Sequence, residues 1–215
     1  MVTPQFLTVG EETISLNDIK PIGDGAADKV EIQTLDAYGR TDKSYMWIDY
    51  AGEGWDESGW IDNNLGLVGD YYELVTDVTF PAGAGLWIFG ADQLTIQSAG
   101  QVNTSDVTVE LRAGASAIGN PFPIAVALTD ILPVGDGAAD KVEIQTLDAY
   151  GRTDKSYMWI DYAGEGWDES GWIDNNLGLV GDYYELVTDV TFPAGAGLWV
   201  FGADGLSIRF PAPEL

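Results

Sequence analysis

Apolar and polar residues alternate along several short segments of the chain. The segments 30–33, 94–97 and 107–112 have this period of two, which is typical of a β-strand with one buried face. The segments 44–48 and 86–89 are instead short runs of aromatic, aliphatic and β-branched residues. Such runs predict strands that are buried on both faces.

Clusters of glycine, proline and aspartate separate these segments and predict turns. Apolar residues nowhere follow the i, i+3, i+4, i+7 spacing of a helix over ten residues, so helix is expected only as a turn or two near 17–19 and 129–131. The pattern therefore predicts an all-β protein built from two tandem β-sandwich or open-barrel domains.

The two domains are predicted from an internal duplication. The segment 23–87 recurs without a change as 135–199, 112 positions further along the chain. We expect a first domain over 1–100 and a second over 101–215. The second copy is preceded by the strand pattern of 106–113, for which the first copy has no counterpart, so the first domain is expected to lack its first strand.

Composition excludes several functions. The 215 residues include 35 acidic and 9 basic side chains, a formal net charge of −26, which makes nucleic acids and anionic membranes poor partners. The absence of Cys and His excludes disulfides, thiolate or imidazole metal sites and the usual catalytic triads. Paired carboxylates could serve a glycosidase, but carboxylates are so abundant that their proximity marks no pair. We therefore expect a protein that is not an enzyme and has no catalytic residues.

The sequence does not directly encode the cellular compartment of the protein. No apolar run approaches the roughly 20 residues of a membrane span, so no membrane insertion is expected. The first residues also lack the charged and apolar parts of a signal peptide, which fits either a cytosolic protein or a mature form whose signal was removed.

A family resemblance bears on location. The motif Gly-Asn-Pro-Phe-Pro at 119–123 is followed by a tryptophan strand at 157–161 and a glycine-rich tryptophan strand at 192–200. This order resembles the β-domains repeated in secreted bacterial surface proteins, where a GNP[FY]P motif precedes two such strands. The first copy departs from it by lacking that motif. The resemblance implies a secreted or cell-surface location and no reaction.

An acidic, glycine-containing loop at 49–64, repeated at 161–176, presents oxygen ligands of the kind that calcium prefers. The spacing fits no EF-hand, and the alternative is a solvated surface loop. The candidate metal ligands are Asp49, Glu53, Asp56, Glu57, Asp62, Asp161, Glu165, Asp168, Glu169 and Asp174.

The same loops carry tryptophans that could stack on sugar rings. Trp55 and Trp60, with their copies Trp167 and Trp172, are the candidates, because the other tryptophans lie within apolar runs. The alternative is that they are buried in a core or an interface. A calcium-dependent carbohydrate-binding module, with a glycan as partner, is therefore the alternative function.

The asymmetry between the copies predicts self-assembly. If the strand at 107–111 completes the second domain, the first domain keeps an open sheet edge, which can pair with another chain. Docking of one chain's tail on the next chain's first domain would form a filament or another polymer, with copies of the protein as partners. The alternative is that residues 4–8 fill the gap and the tail packs locally. The candidate assembly residues are Val2, Phe6, Val9, Ile208, Phe210 and Leu215.

Overall fold

Strands make up 59% and helical turns 4% of the residues that the structure describes, which confirms the predicted all-β fold class. The computed structural model describes residues 5–8, 13–23, 30–36, 40–49, 58–65, 73–90, 94–98, 104–139, 141–148, 152–161, 170–177 and 185–212. Two 3₁₀ turns, Leu16–Asp18 and Leu128–Asp130, lie where the sequence predicts a turn of helix.

The described part of the first domain contains nine strands. They are β1 (Gln5–Thr8), β2 (Thr13–Ser15), β3 (Ile19–Ile22), β4 (Glu31–Leu35), β5 (Thr41–Asp49), β6 (Ser58–Asp62), β7 (Thr79–Pro81), β8 (Gly85–Phe89) and β9 (Thr95–Ser98). Strands β4, β5, β8 and β9 overlap the four segments of this domain that the apolar pattern predicts.

Ten strands lie in the described part of the second domain. They are β10 (Val107–Glu110), β11 (Gly114–Gly119), β12 (Val126–Ala127), β13 (Leu132–Val134), β14 (Glu143–Leu147), β15 (Thr153–Asp161), β16 (Ser170–Asp174), β17 (Thr191–Phe192), β18 (Gly197–Gly202) and β19 (Ser207–Phe210). The extra strand is β10, which follows the alternating segment 107–112.

Each domain combines one large antiparallel sheet with smaller ones. The large sheets have the orders β1-β8-β4-β5-β6 and β11-β18-β14-β15-β16, so β1 takes in the first domain the place that β11 takes in the second. Small sheets β2-β7 and β3-β9 accompany the first, and β12-β17 and β10-β19-β13 the second. None of the sheets closes into a barrel in the described residues, an arrangement compatible with β-sandwich domains.

Apolar side chains form a separate core in each domain. The first core contains Leu16, Ile19 and Ile32, each fully buried. The second core contains their equivalents, and its further residues include Val107 of β10 and Leu111 directly after it. Strand β10, which has no counterpart among the described residues of the first domain, thus supplies core side chains as well as backbone pairing.

The two domains touch through equivalent strands. The rings of Trp87 and its copy Trp199 lie 6.4 Å apart, edge to face, while β8 contacts β11 and β18 contacts β1. Equivalent residues that meet across an interface are characteristic of two-fold, isologous packing. A Cβ atom on Gly85 would lie 2.8 Å from the backbone carbon of Ala117, so a glycine is required for this close approach. The outer faces of β8 and β18 are therefore used within the chain.

Candidate functional site

The edge of β9 is the site at which the two domains differ most clearly. In the second domain β19 pairs with β13 on one side and with β10 on the other. Its equivalent in the first domain, β9, pairs with β3 on one side, and no strand of the described residues pairs with its other side.

Side-chain exposure follows the same difference. Leu206 and Ile208 of the second domain are 5% and 0% exposed, because β10 covers them. Their equivalents, Leu94 and Ile96, are only partly buried. In the described part of the chain, the first domain therefore combines a strand edge without a paired neighbour with apolar side chains that are covered in its copy.

Of the acidic segment 49–64, the structure describes only residue 49 and residues 58–64. Asp49 accepts a hydrogen bond from the Ser58 hydroxyl where β5 and β6 meet the loop. Asp62 lies at the other end of β6, opposite Tyr45, and its carboxylate accepts the backbone and side-chain N–H groups of Asn64 at 2.9 and 3.1 Å. Four strand steps separate Asp49 from Asp62, about 13 Å, so they cannot bind the same ion.

The second copy repeats this arrangement. Asp161 accepts from Ser170, and Asp174 accepts from Asn176. Within the described ranges no three His, Cys, Asp or Glu side chains are grouped closely enough to hold a metal ion. The other six candidate ligands lie outside the described residues: Glu53, Asp56, Glu57, Glu165, Asp168 and Glu169.

Two of the candidate sugar-stacking tryptophans are core residues, which corrects the sequence interpretation. Trp60 and Trp172 are 0% and 1% exposed, so a sugar ring cannot reach them. Their indole N–H groups donate to the carbonyls of Ile19 and Ile131 at 2.8 Å, which joins β6 and β16 to the segments after the 3₁₀ turns. Their partners Trp55 and Trp167 lie outside the described residues.

The structure describes only three of the six candidate assembly residues. Ile208 and Phe210 are each 0% exposed and pair with Val109 and Val107, so their side chains belong to their own domain and are unavailable to a second molecule. Phe6 lies in β1, paired with Trp87 of β8. Val2, Val9 and Leu215 lie outside the described residues.

The GNPFP motif has a structural role that sequence reasoning missed. Asn120 is 1% exposed, and its side-chain amide donates to the carbonyls of Ile124, Phe192 and Pro193 at 2.7, 3.1 and 3.1 Å. Its side-chain carbonyl accepts the amide of Phe122 at 3.0 Å. The motif thus ties the segment after β11 to β17 and the turn that follows it. The Asn-Pro dipeptide at 120–121, which is typical of a turn, was the signal available in the sequence.

A cavity of about 560 Å³ opens beside β14, β15 and β17 of the second domain. Asp154, Lys155 and the buried Tyr157 contribute to its lining. None of the residues that the sequence marks as metal or sugar ligands lines it. The cavity therefore provides no support for the carbohydrate-binding alternative.

The buried tyrosines Tyr45 and Tyr157 are electrostatically coupled to the acidic surface. Burial raises the pKa of Tyr45, and the carboxylates of Asp62 and Asp42 raise it further. Burial likewise raises the pKa of Tyr157, with Asp174 as the next contribution. Both phenols are therefore held in the neutral form.

This coupling predicts a loss of stability at alkaline pH. A tyrosine in the unfolded chain ionises near pH 10, and the folded protein binds that proton more tightly, so the free energy of unfolding is expected to fall as pH rises from about 10 through the folded pKa. Urea unfolding between pH 8 and 11 measures the slope. The double variant Tyr45→Phe, Tyr157→Phe should have a shallower slope, whereas an equal slope would contradict the assignment.

Comparisons with known proteins identify no family or relative for this chain. No family model, curated protein or solved structure matches the chain. Within the described residues, no helix has the length and apolar character needed to cross a membrane. The molecule's own fold defines it as an all-β protein with a near-identical internal repeat.

Proposed function

We propose that the protein is a secreted or cell-surface structural protein that assembles with copies of itself, head to tail, into a filament or another polymer. The observation that carries this proposal is the edge of β9 beside Leu94 and Ile96, with which no strand of the described residues pairs, although the second domain has a paired strand at this place. Open edges of this kind are templates for pairing with another chain. The GNPFP resemblance supports the secreted or surface location.

The proposed head-to-tail arrangement rests on the difference between the two domains at this strand edge. An edge present in one domain and covered in the other makes the two ends of the chain different. If this edge pairs with a different surface of the next copy, the contact is heterologous, and heterologous contacts propagate unless the rotation closes a ring. The contact between β8 and β18 cannot supply it, because it is already used within the chain.

Charge sets the conditions for assembly. Each chain carries −26, so chains repel one another at low ionic strength. At 0.15 M salt the screening length falls to about 8 Å, which leaves short-range edge pairing possible. Assembly should therefore increase with salt, and millimolar calcium should have a larger effect than sodium at equal ionic strength if cations bind the acidic loops.

Light scattering coupled to size-exclusion chromatography, with negative-stain microscopy, tests the proposal on the full chain. The expected result is mass that increases with concentration beyond a dimer, and ordered polymers on the grid. In the variant Thr95→Lys, which places a charge at an exposed position of the β9 edge strand, growth should be lost. Thr108→Lys is the matched control at an already exposed position. A monomer, or a species that stops at two chains, at every concentration and salt level would contradict head-to-tail assembly.

A further inference from the structure

The second domain shows what a strand beside β9 must look like. There β10 runs antiparallel to β19, with Val109 opposite Ile208. The ladder continues past the strand, where the Leu111 amide donates to the Leu206 carbonyl at 2.8 Å. Val107 and Leu111 are 5% and 4% exposed and belong to the core. The occupant of this position therefore supplies apolar side chains at alternate residues as well as backbone pairing.

The register identifies the backbone groups that point to the open side of β9. Hydrogen-bonded and non-hydrogen-bonded pairs alternate in an antiparallel ladder. Opposite Ile96 in β3 stands Pro21, which has no N–H, so this pair is a non-hydrogen-bonded one and Ile96 directs its amide and carbonyl away from β3. The second domain has the same arrangement, with Pro133 opposite Ile208. Ile96 thus presents a donor and an acceptor to the side where β10 would lie.

We infer that the open edge of β9 is an acceptor site for an extended segment of the β10 type, with apolar residues at alternate positions in the pattern Val-Thr-Val-Glu-Leu. The segment binds antiparallel, with its central valine opposite Ile96, and buries its apolar side chains against Leu94 and Ile96. This is β-strand addition, in which the backbone ladder provides affinity and alternate side chains provide specificity. The inference rests on the proposed function in that it defines the chemistry of the strand that joins at this edge.

The probe is an acetylated, amidated peptide with the sequence Asp-Val-Thr-Val-Glu-Leu-Arg of 106–112, added to the full-length protein. Amide hydrogen exchange over 94–98 is the readout. Exchange through local opening should slow about tenfold at a peptide concentration ten times its Kd, because binding to the closed form alone stabilises it by that factor. Exchange over 207–210 should not change, since β10 already occupies that edge.

Two proline peptides provide a matched pair. Proline in place of the central valine, the position of Val109, removes an N–H that points at the acceptor, so binding should be lost. Proline in place of the preceding threonine, the position of Thr108, removes an N–H that points away, so binding should persist. In the protein, Ile96→Pro removes the acceptor's own N–H without breaking the pairing with β3, and protection should disappear.

The outcomes separate this inference from the proposed function. If the peptide binds at β9 but the protein remains a monomer at every concentration, the acceptor site would be retained and self-assembly rejected. If the protein self-assembles but does not bind the peptide, and the peptide does not inhibit assembly, self-assembly would be retained and the acceptor site rejected. Equal binding of the two proline peptides would also overturn the inference, because it would show that the register plays no part.

Discussion

Replacing Asn120 with alanine is expected to lower the free energy of unfolding of the second domain by about 3 kcal/mol or more. The change removes the Asn120 partner of the Ile124 and Phe192 carbonyls and of the Phe122 amide, whereas the Pro193 carbonyl keeps the Ala196 amide at 3.0 Å. Each buried polar group left without a partner costs about 1 to 3 kcal/mol. Urea unfolding followed by tryptophan fluorescence measures the change, with an unchanged m-value as the sign that compactness is preserved.

Two further variants isolate the cause. Asn120→Asp keeps the side-chain volume and the acceptor for Phe122 but cannot donate to three carbonyls, so it should be at least as destabilising as alanine. Asn175→Ala is the control, because Asn175 is exposed and its side chain makes one long bond, at 3.3 Å, to Ser156. Its effect should stay below about 1 kcal/mol. Similar effects of Asn120→Ala and Asn175→Ala would contradict the role assigned to the motif.

Replacing Trp172 with alanine is expected to cost about 3 to 5 kcal/mol of stability, the range for removal of a large aromatic side chain from a core. Trp172 is 1% exposed, packs edge to face against Trp159 with ring centroids 5.4 Å apart, and donates to the Ile131 carbonyl. Trp172→Phe keeps much of the ring and removes the donor, so its cost should be nearer 1 to 3 kcal/mol.

The duplicated residue offers a matched comparison. Trp60 has the same burial, the same 2.8 Å hydrogen bond and a similar contact with Trp47. Trp60→Ala should therefore destabilise the first domain by a similar amount. If these tryptophans formed an exposed sugar platform, alanine would change stability by less than about 0.5 kcal/mol. Denaturation of the two variants side by side decides between these outcomes.

The candidate sites were only partly predictable from sequence. The duplication predicted a difference between the copies at 106–113, and among the described residues β10 has no counterpart beside β9. The burial of Ile208 and Phe210 could not be inferred, because their position near the end of the sequence suggested an exposed tail, whereas β10 covers both. Spacing along the chain likewise placed Asp49 and Asp62 in one loop, although β6 separates them.

The sequence by itself determined the all-β class, some of the strands and the presence of two similar halves, because these depend on local alternation, on turn residues and on repetition. Tertiary structure alone decided which side of each strand is covered. In β6 the run Gly-Trp-Ile contains no polar residue that would mark an outer face, so only pairing with β5 and packing against the 3₁₀ turn bury Trp60. In β8 one face packs on the other domain, which depends on the close approach at Gly85. Burial arises from contacts between residues distant in sequence, and the period of a strand does not contain that information.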